Sequence, residues 1–305
     1  MEGACARRRA KLAMTTSAQL RSGKGSGDEN FPVASWLIKP EHRPVILAFY
    51  EFVRVADDIA DHPKLESVEK IARLDNLEAS LLGRNDDEPQ GVTLRAILNT
   101  RGLSARHAQD LLSAFRQDAT KLRYADWDDL IDYCSRSAMP VGRFVLDVHG
   151  EARDTWPASD ALCAALQIIN HLQDCAKDFR SLDRVYIPLE ALASSGANVG
   201  ELGNKHASPA LRECLRGLAA RTTALLRKSD GFGTSVSDTR LGLEISVIHA
   251  LANRLLAILS VRDPLCEPVH LSKTEALVTA IKAGAGGMLR RLLRTVAPAH
   301  GYQTP

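Results

Sequence analysis

The sequence predicts an all-α protein, a single helical bundle domain. The chain has 305 residues, of which 45% are hydrophobic and 5% aromatic, and no alternating run of apolar and polar residues indicates a strand. Apolar residues instead recur every three or four positions, the spacing of one helix face. We therefore expect helices, in chain order, at approximately 41–61, 66–82, 92–99, 104–121, 126–149, 159–180, 188–194, 207–228, 239–261 and 273–294.

Glycine and proline mark breaks between these segments. Gly83, Gly102 and Gly150 stand where a helix C-terminus favours a residue that can adopt positive φ. Within the segment at 126–149, Pro140 removes a helical hydrogen bond and predicts a kink. The positions of these glycine and proline residues thus agree with the helical periodicity of the chain.

Residues 1–27 differ in composition from the rest of the chain. They hold six basic residues against a single acid, Glu2, and end in Ser/Gly-rich sequence, without the apolar core of a secretory signal. We interpret them as a disordered tail, although an Arg-rich, acid-poor start also resembles a mitochondrial transit peptide. The helical domain is expected at 28–295 and a flexible C-terminus at 296–305.

Charge, cysteine usage and hydropathy narrow the class of protein. The 39 basic and 37 acidic residues give a net charge of +2, which is not typical of a nucleic-acid-binding protein. Six scattered cysteines without a C-x-x-C pair favour free thiols in a reducing compartment over a disulfide framework or a zinc site. The apolar segment at 241–261 is interrupted by Glu244, His249, Asn253 and Arg254, so we expect a bundle helix there and not a membrane span. A cytoplasmic protein is the expectation.

The first informative motif is an acidic stripe on the helix at 41–61. At 100° per residue, Tyr50, Arg54, Asp57 and Asp61 share one face, with Asp58 beside them. Nearly every other residue of this helix is apolar, which predicts burial, with the polar stripe facing an internal cavity. A solvated acidic patch on a surface helix is the alternative.

A second helix repeats this arrangement. Gln167, Asn170, His171, Asp174 and Asp178 share one face of the segment at 159–180, opposite an apolar face. Taken alone, these acids could equally be solvated. Two D-x-x-x-D helices facing each other across a bundle would form a cage of carboxylates. Because buried carboxylates repel one another and oxygen ligands suit a hard cation, the pattern predicts Mg²⁺ as the cofactor.

The chain resembles the squalene/phytoene synthase family of all-α isoprenoid synthases over residues 28–290. The motifs that carry the resemblance lie at 50–61, 132–142 and 170–188. The resemblance implies an isoprenoid synthase bundle with a central substrate cavity, a polyprenyl diphosphate substrate and Mg²⁺. It also implies a reaction in which an allylic or cyclopropylcarbinyl diphosphate ionises and the carbon skeleton rearranges as a cation.

Within this family, the segments at 29–35, 115–127 and 137–143 are most similar to the bacterial members that convert presqualene diphosphate and water to hydroxysqualene and diphosphate in squalene and hopanoid biosynthesis. Head-to-head synthases that make presqualene diphosphate or phytoene share the motif set and remain an alternative. A non-catalytic assembly factor is a further alternative, although such a protein would be expected to lose aspartates that are intact here.

The resemblance also implies roles for individual residues. Asp57, Asp61, Asp174 and Asp178 are expected to be catalytic, and the same four bind metal together with Asp58 and Asn170. Substrate contacts are expected from Tyr50, Arg54, Tyr133, Gln167, Asn170, Arg184 and Tyr186. For the two arginines these are bidentate phosphate contacts, although Arg54 could instead pair with Asp58. Tyr50 and Tyr186 could bind phosphate, shield a cation or be structural.

A stretch of small residues predicts room for the substrate. Ser135, Ser137 and Ala138 precede Pro140, and Gly142 follows it. Small side chains beside a kink open space for a polyprenyl tail, and a glycine permits close backbone approach. An ordinary helix break explains the segment equally well.

The expected partners follow from an insoluble substrate. We expect peripheral contact with the inner face of the cytoplasmic membrane, through the basic N-terminal tail or the Arg290-Arg291-Leu-Leu-Arg294 end. Neighbouring enzymes of the squalene pathway are further expected partners, and nucleic acid is not.

Overall fold

A computed structural model of the chain describes residues 37–296 and confirms the all-α prediction. Within this range, one isolated bridge between Arg123 and Val185 is the only β-type pairing. Short 3₁₀ turns span Arg153–Thr155 and Val199–Gly203. The α-helices are α1 (Arg43–Ala60), α2 (Ser67–Leu81), α3 (Pro89–Arg101), α4 (Arg106–Asp118), α5 (Trp127–Ser137), α6 (Met139–His149), α7 (Trp156–Leu182), α8 (Leu189–Ser194), α9 (Pro209–Arg227), α10 (Phe232–Ser235), α11 (Thr239–Leu259) and α12 (Lys273–Val296).

The helix boundaries correct the expectations at two places. The segment expected as one kinked helix at 126–149 is two helices, α5 and α6, separated at Ala138. Pro140 lies in the first turn of α6, where its missing N–H has no helical acceptor to lose. The four-residue helix α10 was not predicted, because so short an element has no periodicity. The tail at 1–27 and the motif at 29–35 lie outside the described residues.

Capping residues end the helices as predicted. Gly102 and Gly150 follow α3 and α6 with φ of 64° and 68°, the left-handed conformation that glycine adopts without a steric penalty. At the other end, the side chain of Asp126 accepts a hydrogen bond from the backbone N–H of Asp129 and caps α5. Local sequence therefore sets the length of these helices.

The helices build two hydrophobic clusters. One is centred on α1–α4 and includes Phe52, Leu77 and Leu111, and the other is centred on α7, α9 and α11. Helix α6 belongs to both clusters. Phe144 packs in the first cluster, where its ring stacks on that of Phe49 with centroids 3.8 Å apart, and Leu146 packs in the second. Helices α1 and α7, which carry the two acidic stripes, thus belong to different clusters.

Helix α11 is a core helix. Among residues 37–296 it is the one helix whose length and composition would suffice to cross a membrane. Its apolar side chains are used inside the protein, since Leu241, Ile245, Leu255 and Leu259 are buried and α11 contacts α7, α9 and α12. This agrees with the expectation of a bundle helix at 241–261.

Candidate active site

A cavity of about 560 Å³ lies between the two clusters and is lined by α1, α5, α6, α7 and α11. Carboxylates from α1 and α7 line one part of it, and the remainder is mostly aliphatic and aromatic. A largely apolar cavity with a few convergent polar groups is typical of a small-molecule site.

The stripe on α1 lies in the cavity wall. Tyr50, Arg54, Asp57 and Asp61 all contribute to the lining, while the apolar remainder of the helix packs in the first cluster. Asp58, which flanks the stripe, does not line the cavity, and its expected role as a metal ligand stays a prediction. One residue further along a helix is a rotation of about 100°, and this turns the Asp58 carboxylate into the protein, where its Oδ1 accepts a hydrogen bond from Arg54 at 2.7 Å.

The stripe on α7 lines the opposite wall. Gln167, Asn170, His171, Asp174 and Asp178 contribute to the same cavity, and the reverse face of the helix is buried in the second cluster. Burial and the charge of Asp174 raise the pKa of Asp178, and the charge of Asp61 on α1 adds to this shift. The structure thus brings the two D-x-x-x-D motifs together.

The site holds more negative than positive charge. Burial, and then the nearby charge of Asp61, raises the pKa of Asp57 to about 7 even though Arg54 opposes the shift. The side chain of Asp57 lines the cavity, and 35% of its surface is exposed there. Burial, followed by the charge of Asp174, raises the pKa of Asp178 to about 7 as well. A bound cation would relieve this repulsion.

Arg54 and Arg184 compensate only part of this charge. Arg54 donates to Asp57 at 2.8 Å and to Asp58 at 2.7 Å, so the alternative of a helical ion pair is realised. Arg184 is 5% exposed and donates to the carboxylate of Asp61 at 2.6 Å and to the carbonyls of Ala60 and Asp118 at 3.1 and 3.3 Å. Both guanidinium groups border the cavity but are engaged with the protein, so direct phosphate contacts from them stay a prediction.

Asp118, which sequence reasoning missed, joins two predicted substrate-binding tyrosines. Its carboxylate accepts hydrogen bonds from the hydroxyls of Tyr133 at 2.7 Å and Tyr186 at 3.1 Å. Burial raises the pKa of Asp118 to about 6, against the lowering effect of Arg184. These contacts join the end of α4 to α5 and to the segment after α7. A single acid at a helix end has no periodic signal, and its place in the segment at 115–127 was the only indication.

His171 and Gln167 form a polar pair in the cavity wall. Their Nε2 atoms lie 3.2 Å apart, and the imidazole of His171 stacks on the ring of Tyr186 with centroids 3.6 Å apart. Burial, and then Arg184, lowers the pKa of His171 to about 3. The histidine is therefore a neutral hydrogen-bonding group that faces the cavity.

Two of the small residues around Pro140 line the cavity, Ser137 and Gly142, together with Val141. Ser135 and Ala138 do not line it. A Cβ atom on Gly142 would lie 2.3 Å from Oγ of Ser159 and 2.6 Å from Sγ of Cys163. Glycine is thus required where α6 crosses α7, as the prediction of close backbone approach implies.

The donor set at the acidic part of the cavity fits a hard divalent cation. Carboxylates of Asp57, Asp61, Asp174 and Asp178 line it together with the side-chain amide of Asn170. Oxygen ligands of this kind bind Mg²⁺, which takes one or two carboxylates and the phosphates of a substrate. Next to an apolar cavity, this arrangement suits a ligand with an anionic head and a hydrocarbon body.

Comparison with known proteins gives consistent results. The description of the squalene/phytoene synthase family matches residues 25–275. A hydroxysqualene synthase of Rhodopseudomonas palustris is 57% identical over 278 residues, covering 91% of this chain and 95% of the relative. One of Zymomonas mobilis is 50% identical over 94% of this chain and 99% of the relative.

Solved structures have the same fold. The squalene synthase HpnC of Alicyclobacillus acidocaldarius superposes with a TM-score of 0.67 at 30% identity, covering 79% of this chain and 90% of that protein. A dehydrosqualene synthase in complex with ligand superposes with a TM-score of 0.73 at 20% identity over 92% and 98% of the two chains. The second likeness concerns the fold alone.

Proposed function

The chain belongs to the squalene/phytoene synthase family, and from this membership we propose that it is a hydroxysqualene synthase. It converts presqualene diphosphate and water to hydroxysqualene and diphosphate, a step towards squalene and hopanoids. The observation that carries this proposal is the similarity to relatives of that name along nearly the whole chain. The carboxylate-lined, otherwise apolar cavity supports it, because it suits a polyprenyl diphosphate.

Mg²⁺ is the cofactor that the donor set fits. Asp57, Asp61, Asp174 and Asp178 would hold it, with the side chain of Asn170. When bound, Mg²⁺ supplies Lewis-acid stabilisation of the negative charge that develops on the departing diphosphate. Without it, the carboxylates would repel the anionic head of the substrate.

The chain's own residues position these groups and protect the cation. Arg184 anchors the carboxylate of Asp61, and Arg54 anchors that of Asp57, so both are held at the cavity wall. The rings of Tyr133 and Tyr186 line the cavity and are oriented through Asp118. Aromatic faces stabilise a nearby positive charge, and the apolar wall excludes water while the carbon skeleton rearranges.

Gln167 and His171 are the groups that hold the water that ends the reaction. They place amide and imidazole nitrogens in the cavity wall on α7, about two turns and one turn before Asp174, respectively. A water bound there donates its oxygen lone pair to the final carbocation and forms the new C–O bond. The resulting oxonium then loses a proton to the diphosphate released in the same cavity, so charge and atoms balance.

The rise in the Tm of the protein on adding Mg²⁺ is expected to be larger at higher pH. The pKa values of Asp57 and Asp178, about 7 against an ordinary 3.8, mean that the metal-free folded protein binds more protons than the unfolded chain between these values. The free energy of unfolding of the metal-free protein should therefore fall as pH rises through that window. Because Mg²⁺ needs ionised ligands, the rise in Tm on adding Mg²⁺ should be larger at about pH 8 than at about pH 6.

Differential scanning fluorimetry with and without EDTA measures this shift. Asp132→Asn, a change in an exposed ion pair outside the cavity, is the control and should behave as the wild type. A shift on adding Mg²⁺ that is equal or larger at the lower pH contradicts the proposed ligands.

The product test uses presqualene diphosphate and Mg²⁺ in ¹⁸O-labelled water, with and without NADPH. Labelled hydroxysqualene is expected in both reactions, since water and not hydride quenches the cation. His171→Leu should still release diphosphate but yield hydrocarbon products in place of most of the alcohol, because the wall loses a group that holds the water. Mass spectrometry of the lipid products and a diphosphate assay give the two readouts.

Three outcomes would each contradict a different part of the proposed function. Squalene that forms only with NADPH contradicts the hydroxylating function, and turnover of farnesyl diphosphate alone favours a head-to-head synthase. An unchanged alcohol fraction in His171→Leu contradicts the water-holding role only. Val261→Leu, at an exposed position outside the cavity, is the control and should leave both readouts unchanged.

A further inference from the structure

Helix α12 exposes a broad apolar surface. Of the twelve large hydrophobic side chains that are exposed among the described residues, seven lie on this helix, and the other five are scattered. At 100° per residue, the seven cover one continuous arc of about 160°. We call this arc the outer face of α12; it comprises Leu277, Val278, Ile281, Met288, Leu289, Leu292 and Leu293, with exposed fractions between 40% and 62%.

The opposite side of α12 is fixed to the bundle. Gly287 is buried over the side chain of Ser246 on α11, and Arg291 donates hydrogen bonds to the carbonyls of Gly233 and Val236 at 3.1 and 2.6 Å. The orientation of the helix is therefore set, and the outer face points away from the protein. Contiguous apolar surface of this extent is uncommon on soluble proteins and marks an interaction site.

Positive charge accompanies this surface. The sequence of α12 contains five basic residues against one acid, although the whole chain has a net charge of only +2. Lys282 and Arg290 are exposed along one edge of the outer face. A helix with an apolar face and a cationic edge is typical of binding in the interface of an anionic bilayer.

The same charges disfavour two other occupants of this face, a second copy of the chain and the N-terminal segment at 1–27. A two-fold dimer through this face would bring α12 of one copy against α12 of the next, and their basic residues would repel. Residues 1–27 carry six basic residues against one acid, so that segment would be repelled as well. An anionic partner complements both the apolar arc and its edge.

The position of α12 relative to the cavity is also informative. Leu241, Ile245 and Ile248 on one side of α11 line the cavity, and Gly287 of α12 packs near Ser246 and Leu243 on another side. Helix α11 thus separates the cavity from α12. Since packed helix axes lie about 8–10 Å apart, a bilayer at the outer face would lie about two helix layers from the apolar wall of the cavity.

We propose that the outer face of α12 docks the protein on the surface of an anionic phospholipid bilayer. The leucine, isoleucine, valine and methionine side chains enter the boundary between headgroups and acyl chains, and Lys282 and Arg290 contact the phosphates. Arg291, expected from sequence to take part, is turned inward by its bonds to Gly233 and Val236. This surface is independent of the chemistry in the cavity.

Co-sedimentation with vesicles of phosphatidylcholine, with and without phosphatidylglycerol, tests the proposal on the full chain. The wild type should bind the anionic vesicles, and Ile281→Glu combined with Leu292→Glu should lower the bound fraction about tenfold. The matched controls Val68→Glu and Val261→Glu place the same charge at positions that are 80% and 67% exposed elsewhere, and they should bind as the wild type does. Lys282→Gln with Arg290→Gln should bind more weakly and with less dependence on salt.

Several results would overturn the docking surface. One is equal binding by the double glutamate variant and the wild type, and another is failure of the wild type to bind either vesicle. Loss of binding in R7Q/R8Q/R9Q, with binding intact in the α12 variant, would assign the contact to the tail. Light scattering that shows a lipid-free dimer, dissociated by the α12 variant, would assign the face to a second copy. Equal Tm values for all variants exclude unfolding as the cause.

Discussion

Asp57→Asn is expected to lower turnover of presqualene diphosphate by about 10³-fold or more while the protein remains folded. The change removes an ionised oxygen ligand from the α1 side of the cavity and leaves the amide as a weaker donor. Its effect on stability has the opposite sign, because burial and the charge of Asp61 already raise the pKa of Asp57. Removing one of these repelling charges should leave Tm unchanged or higher.

Asp174→Asn tests a proposed metal ligand on α7 in the same way. Its side chain lines the cavity and lies 3.7 Å from Lys177 in a half-exposed pair, so we expect a comparable loss of turnover with little change in Tm. Initial rates at saturating substrate and Mg²⁺ measure the loss, with Asp132→Asn as a control of equal charge change outside the cavity. Full activity of either cavity variant would contradict the carboxylate cage.

Arg184→Met is expected to cause the largest loss of stability, about 3 kcal/mol in the free energy of unfolding. Arg184 is buried and bonds with Asp61, Ala60 and Asp118. Methionine fills a similar volume but leaves the two acids without the cation and two backbone carbonyls without their donor. Turnover should also fall, since Asp61 is no longer held in place.

Chemical denaturation measures this loss of stability. Arg136→Met is the matched control, because Arg136 is partly exposed and pairs with Asp132 one turn away on α5, and it should cost less than about 1 kcal/mol. A similar small cost for Arg184→Met would show that its three contacts contribute little. Arg184→Lys should fall between the two, since it restores the charge but not the fork of donors.

How much could be predicted from sequence depended on whether a residue belongs to a repeating pattern. The stripe of Tyr50, Arg54, Asp57 and Asp61 repeats with the helical period against an apolar background, so its place in a cavity wall followed from local sequence. Asp58 was included only through the family resemblance, since its direction on the helix lies off the stripe. Asp118 was missed because its partners, Tyr133 and Tyr186, are 15 and 68 residues away, and no local pattern encodes such contacts.

The helix boundaries show the same limit. Pro140 marked the position of a break correctly, but whether the chain kinks or restarts depends on the conformation of Ala138, with φ of −128° and ψ of −47°. Tertiary packing of α5 and α6 decides that conformation. The roles of the cavity residues in catalysis stay predictions, which the variants above test.

The contacts of Arg184 have one more consequence. At the apolar part of the cavity, α6 belongs to both hydrophobic clusters and joins them by packing. At the acidic part, Arg184 donates one hydrogen bond to the carboxylate of Asp61 and another to the carbonyl of Ala60, across 123 and 124 residues of sequence. One junction between the walls is therefore made by apolar packing, whereas the other is made by the hydrogen bonds of one buried arginine. The acidic part of the cavity thus depends on a single side chain, whereas its hydrocarbon part is held by packing that is spread over many residues.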